Sequence, residues 1–532
     1  MMLAQQTRLL RGVSALLLIA SWLLVVPIAV ADEPANTGGF RKAVTLEGVR
    51  AHQAALQAIA DANGGNRLSG TAGFDASAQY VFDTLTAAGY SPSYQEFTFL
   101  LNADRTPAVL QRTAPTAKTY IDGVDFQSMS YSGNGDVTAA VVAVDILIHS
   151  MPGTLSTSGC EAADFAGFPA GAIALVQRGT CSFRQKADNA GAAGAAGAIV
   201  FNEGNSADRM GMVNGRLNPP ETVTGIPVVG ATFALGDELR NGVLNGPTGT
   251  EARLRVDRVN ETRTTRNVIA ETPGGDPNQV VVVGAHLDSV PRGPGINDNG
   301  SGAATILEVA EVFAAQERAP RNKIRFMWYG AEEFGLIGSR YYVDQLPQAE
   351  LDKIALMLNF DMIGSPNFVR FVYDGDNSAF PAPPGGAAQP GPAGSGEIER
   401  VFRDYFTSQG LASEPTPFNG RSDYGPFIAK GIPAGGLFTG AEGIKTAAQA
   451  AIYGGTAGAP YDPCYHLACD TYANNNDTVL DQNADAVAHT VLYFSKRNFD
   501  KDPLVNPVVT PDTGTGGGGG LHDGHDHEEA DR

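Results

Sequence analysis

The sequence predicts an α/β protein: a mixed, mostly parallel central sheet flanked by helices, with a small β-rich domain inserted into it. Three observations carry this reading. From Asn267 onward the chain repeats strand, loop and helix, the rhythm of a sheet covered on both faces. Val280 to Val283 is an unbroken run of β-branched residues, as a central parallel strand requires. Between about residues 104 and 263 the texture changes to short runs rich in Val, Ala, Gly and Thr. The flanking segments are alike in style, so they read as one domain interrupted by another.

Each element has its own signal. Val49 to Asn63 carries apolar residues at helical spacing and stops at Asn63-Gly64-Gly65. Phe74 to Ala88 is a second amphipathic helix ending at Gly89, and Tyr94 to Leu101 is a strand. In the inserted region Ala139 to Ile148, Ala172 to Gln177, Ala198 to Phe201 and Ile226 to Gly230 are strands, with a short helix from Phe183 to Ala190. The second flank brings a helix from Ser301 to Ala315, with Ala303, Ile306, Leu307, Ala310 and Phe313 on one face. Ile324 to Tyr329 and Ile354 to Phe360 are buried strands. The expected organisation is therefore residues 32–103 and 264–500 for the split domain and 104–263 for the insertion. A Pro/Gly linker and a His/acidic tail fill 501–532, where His522, His525 and His527 read as solvated residues rather than ligands.

Residues 1–31 have the pattern of an export signal. Arg8 and Arg11 precede the apolar stretch Val13 to Ala29, and Ala29-Val30-Ala31 offers small-x-small ahead of Asp32-Glu33. An uncleaved anchor is the weaker alternative, and no later stretch is apolar enough to span a bilayer. The expected location is extracellular or periplasmic. The four cysteines agree: Cys160 with Cys181 and Cys464 with Cys469 each bracket a compact segment, so neighbours are expected to pair. Free thiols, or one four-cysteine zinc site, are the alternatives.

Charge narrows the partners. Lys and Arg number 37 against 57 Asp and Glu, a formal net charge of -20. Nucleic acid needs clustered cations, so it is excluded as a partner. For the same reason a two-metal phosphatase or nuclease is disfavoured. With 43% hydrophobic residues and 18% charged ones, the chain can bury a sizeable core.

The chemistry sits at strand ends. His286 follows the Val280–Val283 run and Asp288 falls on its side by alternation; Gly295 to Gly302 is a tight loop holding Asp298; Glu332-Glu333 follow Phe326 to Tyr329; Asp361 follows Leu358 to Phe360. Ligand sites in open α/β sheets form at the carboxyl ends of strands. Acids leaving apolar runs need a compensating cation. With His466 from the Tyr461–Asp470 segment the set fits two divalent ions, and a carboxylate such as Asp298 can bridge them. A Cys464–Cys469 disulfide would clamp the loop presenting His466.

On these motifs, together with Gly420 to Phe427 and Tyr465-His466, the chain resembles the secreted zinc aminopeptidases of the M28 peptidase family, close to bacterial leucine aminopeptidases. The likeness covers about 45–101 and 264–497. The insertion more loosely resembles a protease-associated (PA) domain, through Ala174 to Phe183 and the Ala/Gly helix after it. The resemblance implies a zinc-exopeptidase fold with two Zn²⁺, one held by His286 and Asp361, the other by Glu333 and His466, with Asp298 bridging. It implies Asp288 orienting His286, Glu332 as general base toward the attacking water, and Tyr465 donating to the oxyanion. Glu332, Asp361 and the backbone near Arg421 would meet the substrate's α-amine.

The expected reaction is removal of an N-terminal residue, Leu or another large apolar one, from peptides with a free N-terminus, by a monomer. Arg421, Tyr424 and Gly436 are expected around the substrate, since Gly435 to Phe438 beside the Tyr424-Gly425 loop reads as an apolar pocket. A carboxypeptidase, a glutaminyl cyclase and a non-catalytic PA-domain binding protein are the alternatives. Asp481 and Asp485, one helical turn apart, resemble a calcium-binding pair in some relatives, with a solvated acidic face as the equal alternative. Asn260-Glu261-Thr262 is a glycosylation sequon whose meaning depends on the source.

Overall fold

The structure, a computed structural model, describes residues 36–148, 155–206, 209–217, 222–316, 318–380 and 390–505. The export segment and the histidine tail lie outside these. Among the described residues no helix is long and apolar enough to cross a membrane.

The strand Asp276–His286 is central because its sequence leaves it no other place. Val280 to Val283 are buried on both sides, Val281 and Val283 among one set of helices and Val280 and Val282 among another. Parallel neighbours complete the shielding: Asn322–Tyr329 on one edge and Ile354–Phe360 on the other, the latter followed by Ala434–Phe438. On one face pack the helices Leu46–Ala62, Ala72–Ala87, Gly300–Ala315, Ser395–Ser408 and Asp477–Lys496; Ile337–Gln345 and Tyr424–Ala429 cover the other. Several helix starts are set by side chains: Thr45 accepts from Gly48 N–H, Asn299 from Gly302 N–H, and Asn476 from Thr478 and Val479.

Two strands are much longer than the sequence pattern predicts. Ser93–Ala114 and Gly246–Glu271 pair antiparallel from Ser93↔Ile269 to Ala114↔Glu251. The second also pairs with Asn322–Tyr329 at one end and Gly135–Ala143 at the other, so a single 14-stranded sheet runs through both parts of the chain. The expected boundaries at 103/104 and 263/264 thus fall inside continuous strands. The irregularity that the sequence signals is real but smaller: the register shifts between Asp104 and Val109, where Pro107 offers no N–H. Beyond it Gly135–Ala143, Ile173–Gln177, Gly197–Phe201 and Val228–Ala231 pair in parallel around their own apolar clusters, with the helices Phe183–Ala192 and Phe233–Arg240. Both disulfides form as expected, Cys160–Cys181 and Cys464–Cys469.

Candidate active site

Three parallel strands end side by side, and their ends deliver the acids and imidazoles. His286 is the last residue of its strand and is buried. Its Nδ1 lies 3.2 Å from the carbonyl of Asp288, which can only accept, so Nδ1 carries the proton and Nε2 faces inward. There Nε2 meets Asp298 Oδ1 and Asp361 Oδ1, each at 3.3 Å. His466 arrives from a loop closed by Cys464–Cys469, with its Nε2 3.1 Å from Asp298 Oδ2 and 3.2 Å from Glu333 Oε2. The two oxygens of Asp298 therefore join two sets, each one imidazole and two carboxylates.

The supporting contacts explain why the groups stay there. Asp361 Oδ2 accepts from Ser422 Oγ at 2.6 Å, and Ser422 accepts from Asn359 Nδ2 at 2.8 Å. The Asp288 carboxylate, expected to orient His286, lies 3.7 Å from Nδ1 and accepts instead the backbone N–H of Glu332 at 3.2 Å. It links the two strand ends, while its carbonyl meets the imidazole. Ala331, Met362 and His466 all have positive φ, at 58°, 48° and 57°. Each is one of the acid- or imidazole-bearing residues or adjoins one, and such backbone costs about 1–3 kcal/mol per residue, which the packed surroundings must offset.

Three residues that the sequence motifs do not single out complete the site. Asp470 accepts the N–H groups of Asn297 and Asp298 at 2.8 and 3.0 Å, so the disulfide loop positions Asp298 as well as His466. Arg67, fully buried, donates to the carbonyls of Leu287, Pro294 and Gly295, fixing the loop ahead of Asp298. Burial pulls its guanidinium down to about 10 against the opposing pull of Asp288 and Asp470. Asp423, buried near Asp361 and His286, is pushed up to about 7 by burial despite His286. A better reading of Gly420 to Phe427 would have marked Asp423; Arg67 and Asp470 carry no local signal.

Electrostatics make the arrangement expensive without a cation. Burial pushes Glu332 well up and Glu333 up to about 7, against His286 and His466 respectively. Burial also opposes ionisation of Asp298, but the two imidazoles outweigh it and hold that carboxyl well below its usual range. Asp298 Oδ2, Glu333 Oε1 and Asp361 Oδ1 are buried without a hydrogen bond. Unsatisfied carboxylate oxygens facing imidazole nitrogens are what a pair of divalent ions would compensate. Ligand atoms of His286, Asp298 and Glu333 all lie within 4.8 Å of one another.

Residues 267–491 match Peptidase family M28, and residues 137–239 match the PA domain. An aminopeptidase of Pseudomonas aeruginosa (strain UCBPP-PA14) is 51% identical over 441 residues, which are 83% of this chain and 79% of that one. The chain belongs to peptidase family M28. Leucine aminopeptidase 2 of Trichophyton equinum is 39% identical over 89% of this chain and 90% of its own. Among solved structures, the aminopeptidase from Aneurinibacillus sp. strain AM-1 has a TM-score of 0.64 at 27% identity, covering 89% of this chain and 98% of that one. A zinc aminopeptidase from Bacillus subtilis has 0.59 at 26%, covering 86% and 96%. This M28 chain is accordingly an aminopeptidase with a PA domain within it.

Around the M28 centre two cavities matter. Arg421, Ser422, Tyr424, Tyr373, Thr416 and Phe438 line a small one beside Asp361. Gly436, expected with them, is absent from that lining: it pairs with Asn359 in the sheet, and a Cβ there would lie 1.8 Å from Asn359 O. A second cavity of about 120 Å³ opens at the other end of the set, beside Glu333, Tyr465 and His466. A larger one of about 810 Å³ lies by Ile337–Gln345 and Tyr424–Ala429 and holds none of these groups. Asp485, which resembles half of a calcium pair but reads equally as part of a solvated acidic face, bonds Arg41 at 3.2 Å.

Proposed function

We propose that this aminopeptidase is a dinuclear zinc enzyme acting outside the cytoplasm as a monomer, removing large apolar residues such as Leu from free N-termini. The observation that carries the metal count is Asp298, shared between His286 and His466 at 3.3 and 3.1 Å. His286 and Asp361 would hold one zinc and Glu333 and His466 the other, with Asp298 between. The Bacillus subtilis neighbour, itself a zinc aminopeptidase, supports zinc as the metal. Two bound zinc ions would supply Lewis acidity, polarising the scissile carbonyl and easing deprotonation of water.

The chain's own groups do the rest. Glu332 is buried next to Glu333, and its raised proton affinity suits a group that takes a proton from the attacking water and returns it to the leaving amine. Asp288 ties the Glu332 backbone to the His286 strand end and holds base and imidazole in register. Tyr465, stacked on His466 at 3.8 Å between ring centres, would donate to the oxyanion. Glu332, Asp361 and the Arg421 backbone would receive the α-ammonium, and the aromatic cavity beside Asp361 supports an apolar first residue. We read residues 104–263 as the insertion, and two disulfides support an oxidising compartment.

Release of p-nitroaniline from Leu-p-nitroanilide tests this directly. Activity should vanish with a chelator, return with zinc at about two equivalents per chain, and be absent on the N-acetylated substrate. Restoration complete at one equivalent would overturn the dinuclear reading.

A further inference from the structure

We propose that Tyr424 is a positioning residue for the substrate's α-ammonium, acting through a turn at residues 419–422 that its hydroxyl closes. The inference rests on the reading above in which Glu332, Asp361 and the Arg421 backbone receive that ammonium.

Tyr424 lines the small cavity beside Asp361, yet it is only 1% exposed, so it offers a substrate little surface of its own. Phe418 stacks on its ring at 4.6 Å, nearly parallel, and Tyr373 lies tilted against it at 4.7 Å. The phenol is therefore held in place, and its hydroxyl reaches back along the chain. It accepts the backbone N–H of Gly420 at 3.0 Å and donates to Asn419 Oδ1 at 3.3 Å. The same Asn419 oxygen accepts the Arg421 N–H at 3.2 Å. Gly425 lets the turn fold back this closely, since a Cβ there would collide with the Gly420 carbonyl oxygen.

Two of the three groups assigned to the ammonium hang on this turn. Arg421 is tied through Asn419, and Ser422, next in the chain, donates to Asp361 Oδ2 at 2.6 Å. The N–H groups of Gly420 and Arg421 are both engaged inside the turn, so its backbone contribution to an ammonium is carbonyl oxygen. Without the hydroxyl, the Gly420 N–H and the Asn419 side chain lose the group that joins them. The turn then shifts, and with it the Arg421 carbonyl and the serine that aims Asp361. Charge-assisted hydrogen bonds weaken steeply when their geometry is lost.

The test measures Ki for leucine hydroxamate and for its des-amino analogue, which lacks only the α-amine, on the zinc-loaded enzyme. The hydroxamate and the apolar side chain are common to both, so the ratio of the two constants reads the ammonium site alone. The wild type should favour the amine by about 100-fold. Tyr424→Phe keeps the stacked ring and removes the hydroxyl. Its ratio should fall by about tenfold, with zinc content and Ki for the des-amino compound unchanged. For Leu-p-nitroanilide the loss should appear in KM more than in kcat, since the ammonium is bound alike in ground and transition states. Asn419→Ala cuts the same tie from the other side and should lower the ratio as well. An undiminished ratio in Tyr424→Phe would overturn the proposal. So would equal weakening of both hydroxamates, which marks only a brace for the cavity. A wild type that binds the two compounds equally would overturn the amine-binding reading instead.

Discussion

Two carboxylates beside metal-facing groups, Glu332 next to Glu333 in the chain and Asp470 bonded to the backbone of Asp298, invite opposite experiments. Glu332→Gln keeps the shape and the imidazole contacts but removes the proton acceptor, so turnover should fall about 10²- to 10⁴-fold while zinc content holds. Full activity in that variant would refute the base assignment. Asp470→Asn does something else: its carboxylate receives two N–H groups from Asn297 and Asp298, and an amide turns one acceptor into a donor facing a donor. Zinc affinity should drop about 10- to 100-fold, read by competition with a chromophoric chelator, with turnover recovering at high zinc. The contrast shows which part of the site was legible. His286, Glu332, Glu333 and Asp361 stand at or just past strand ends, where apolar runs stop abruptly in acid or imidazole, and Asp298 stands in a Gly-bounded loop opening a helix. Asp470 and Arg67 reach the site through backbone contacts from distant segments, and nothing in their local sequence sets them apart from surface charge.

At the scale of elements, legibility followed periodicity. The strand Ile354–Phe360 and the helix Gly300–Ala315 lie within a residue of expectation because their patterns are unbroken. The long strands exceed the expected Tyr94 to Leu101 because Asn102, Asp104 and Pro107 interrupt the apolar pattern, whereas the partner strand carries the pairing past them with a shifted register. The two disulfides divide by role in the same way. Cys464–Cys469 spans 5 residues and Cys160–Cys181 spans 21, so loop entropy assigns them about 2 and about 3 kcal/mol of stability. Yet the smaller closes the loop that carries His466 and adjoins Asp470. Replacing Cys464 and Cys469 with Ser should lower Tm modestly and weaken zinc binding strongly. Replacing Cys160 and Cys181 should do the reverse, lowering Tm more while leaving zinc affinity unchanged. Equal zinc loss in both double variants would show that the loop is not specifically held by its disulfide.

Across the whole molecule, the segment at Thr37–Arg41 closes over the last helix, and the closure is tuned to pH. His489 Nδ1 bonds Thr37 Oγ1 at 2.8 Å and its ring stacks on Tyr405, while Arg41 beside it bonds Asp485. Burial, helped by the Arg41 charge, lowers the His489 pKa from 6.5 to about 4. The folded state therefore resists protonating this imidazole more than the unfolded chain does. Above pH 6.5 the group is neutral in both states and contributes no pH dependence; as pH falls from 6.5 toward 4 the unfolded chain takes the proton first and stability is lost, by at most about 3 kcal/mol. His52 has the opposite sign. Burial opposes its charge, but Glu308 and Glu311, the latter at 2.9 Å, raise its pKa, so its contribution is present at acid pH and lost as pH rises above 6.5 through the folded value. His489→Phe keeps the stack on Tyr405 and removes the titration. Urea unfolding at pH 7 and pH 4.5 should then show the variant losing less stability than the wild type on acidification. The acid sensitivity of the metal centre is common to both proteins and cancels in the difference, so parallel losses would place the acid limb in the active site rather than in this closure.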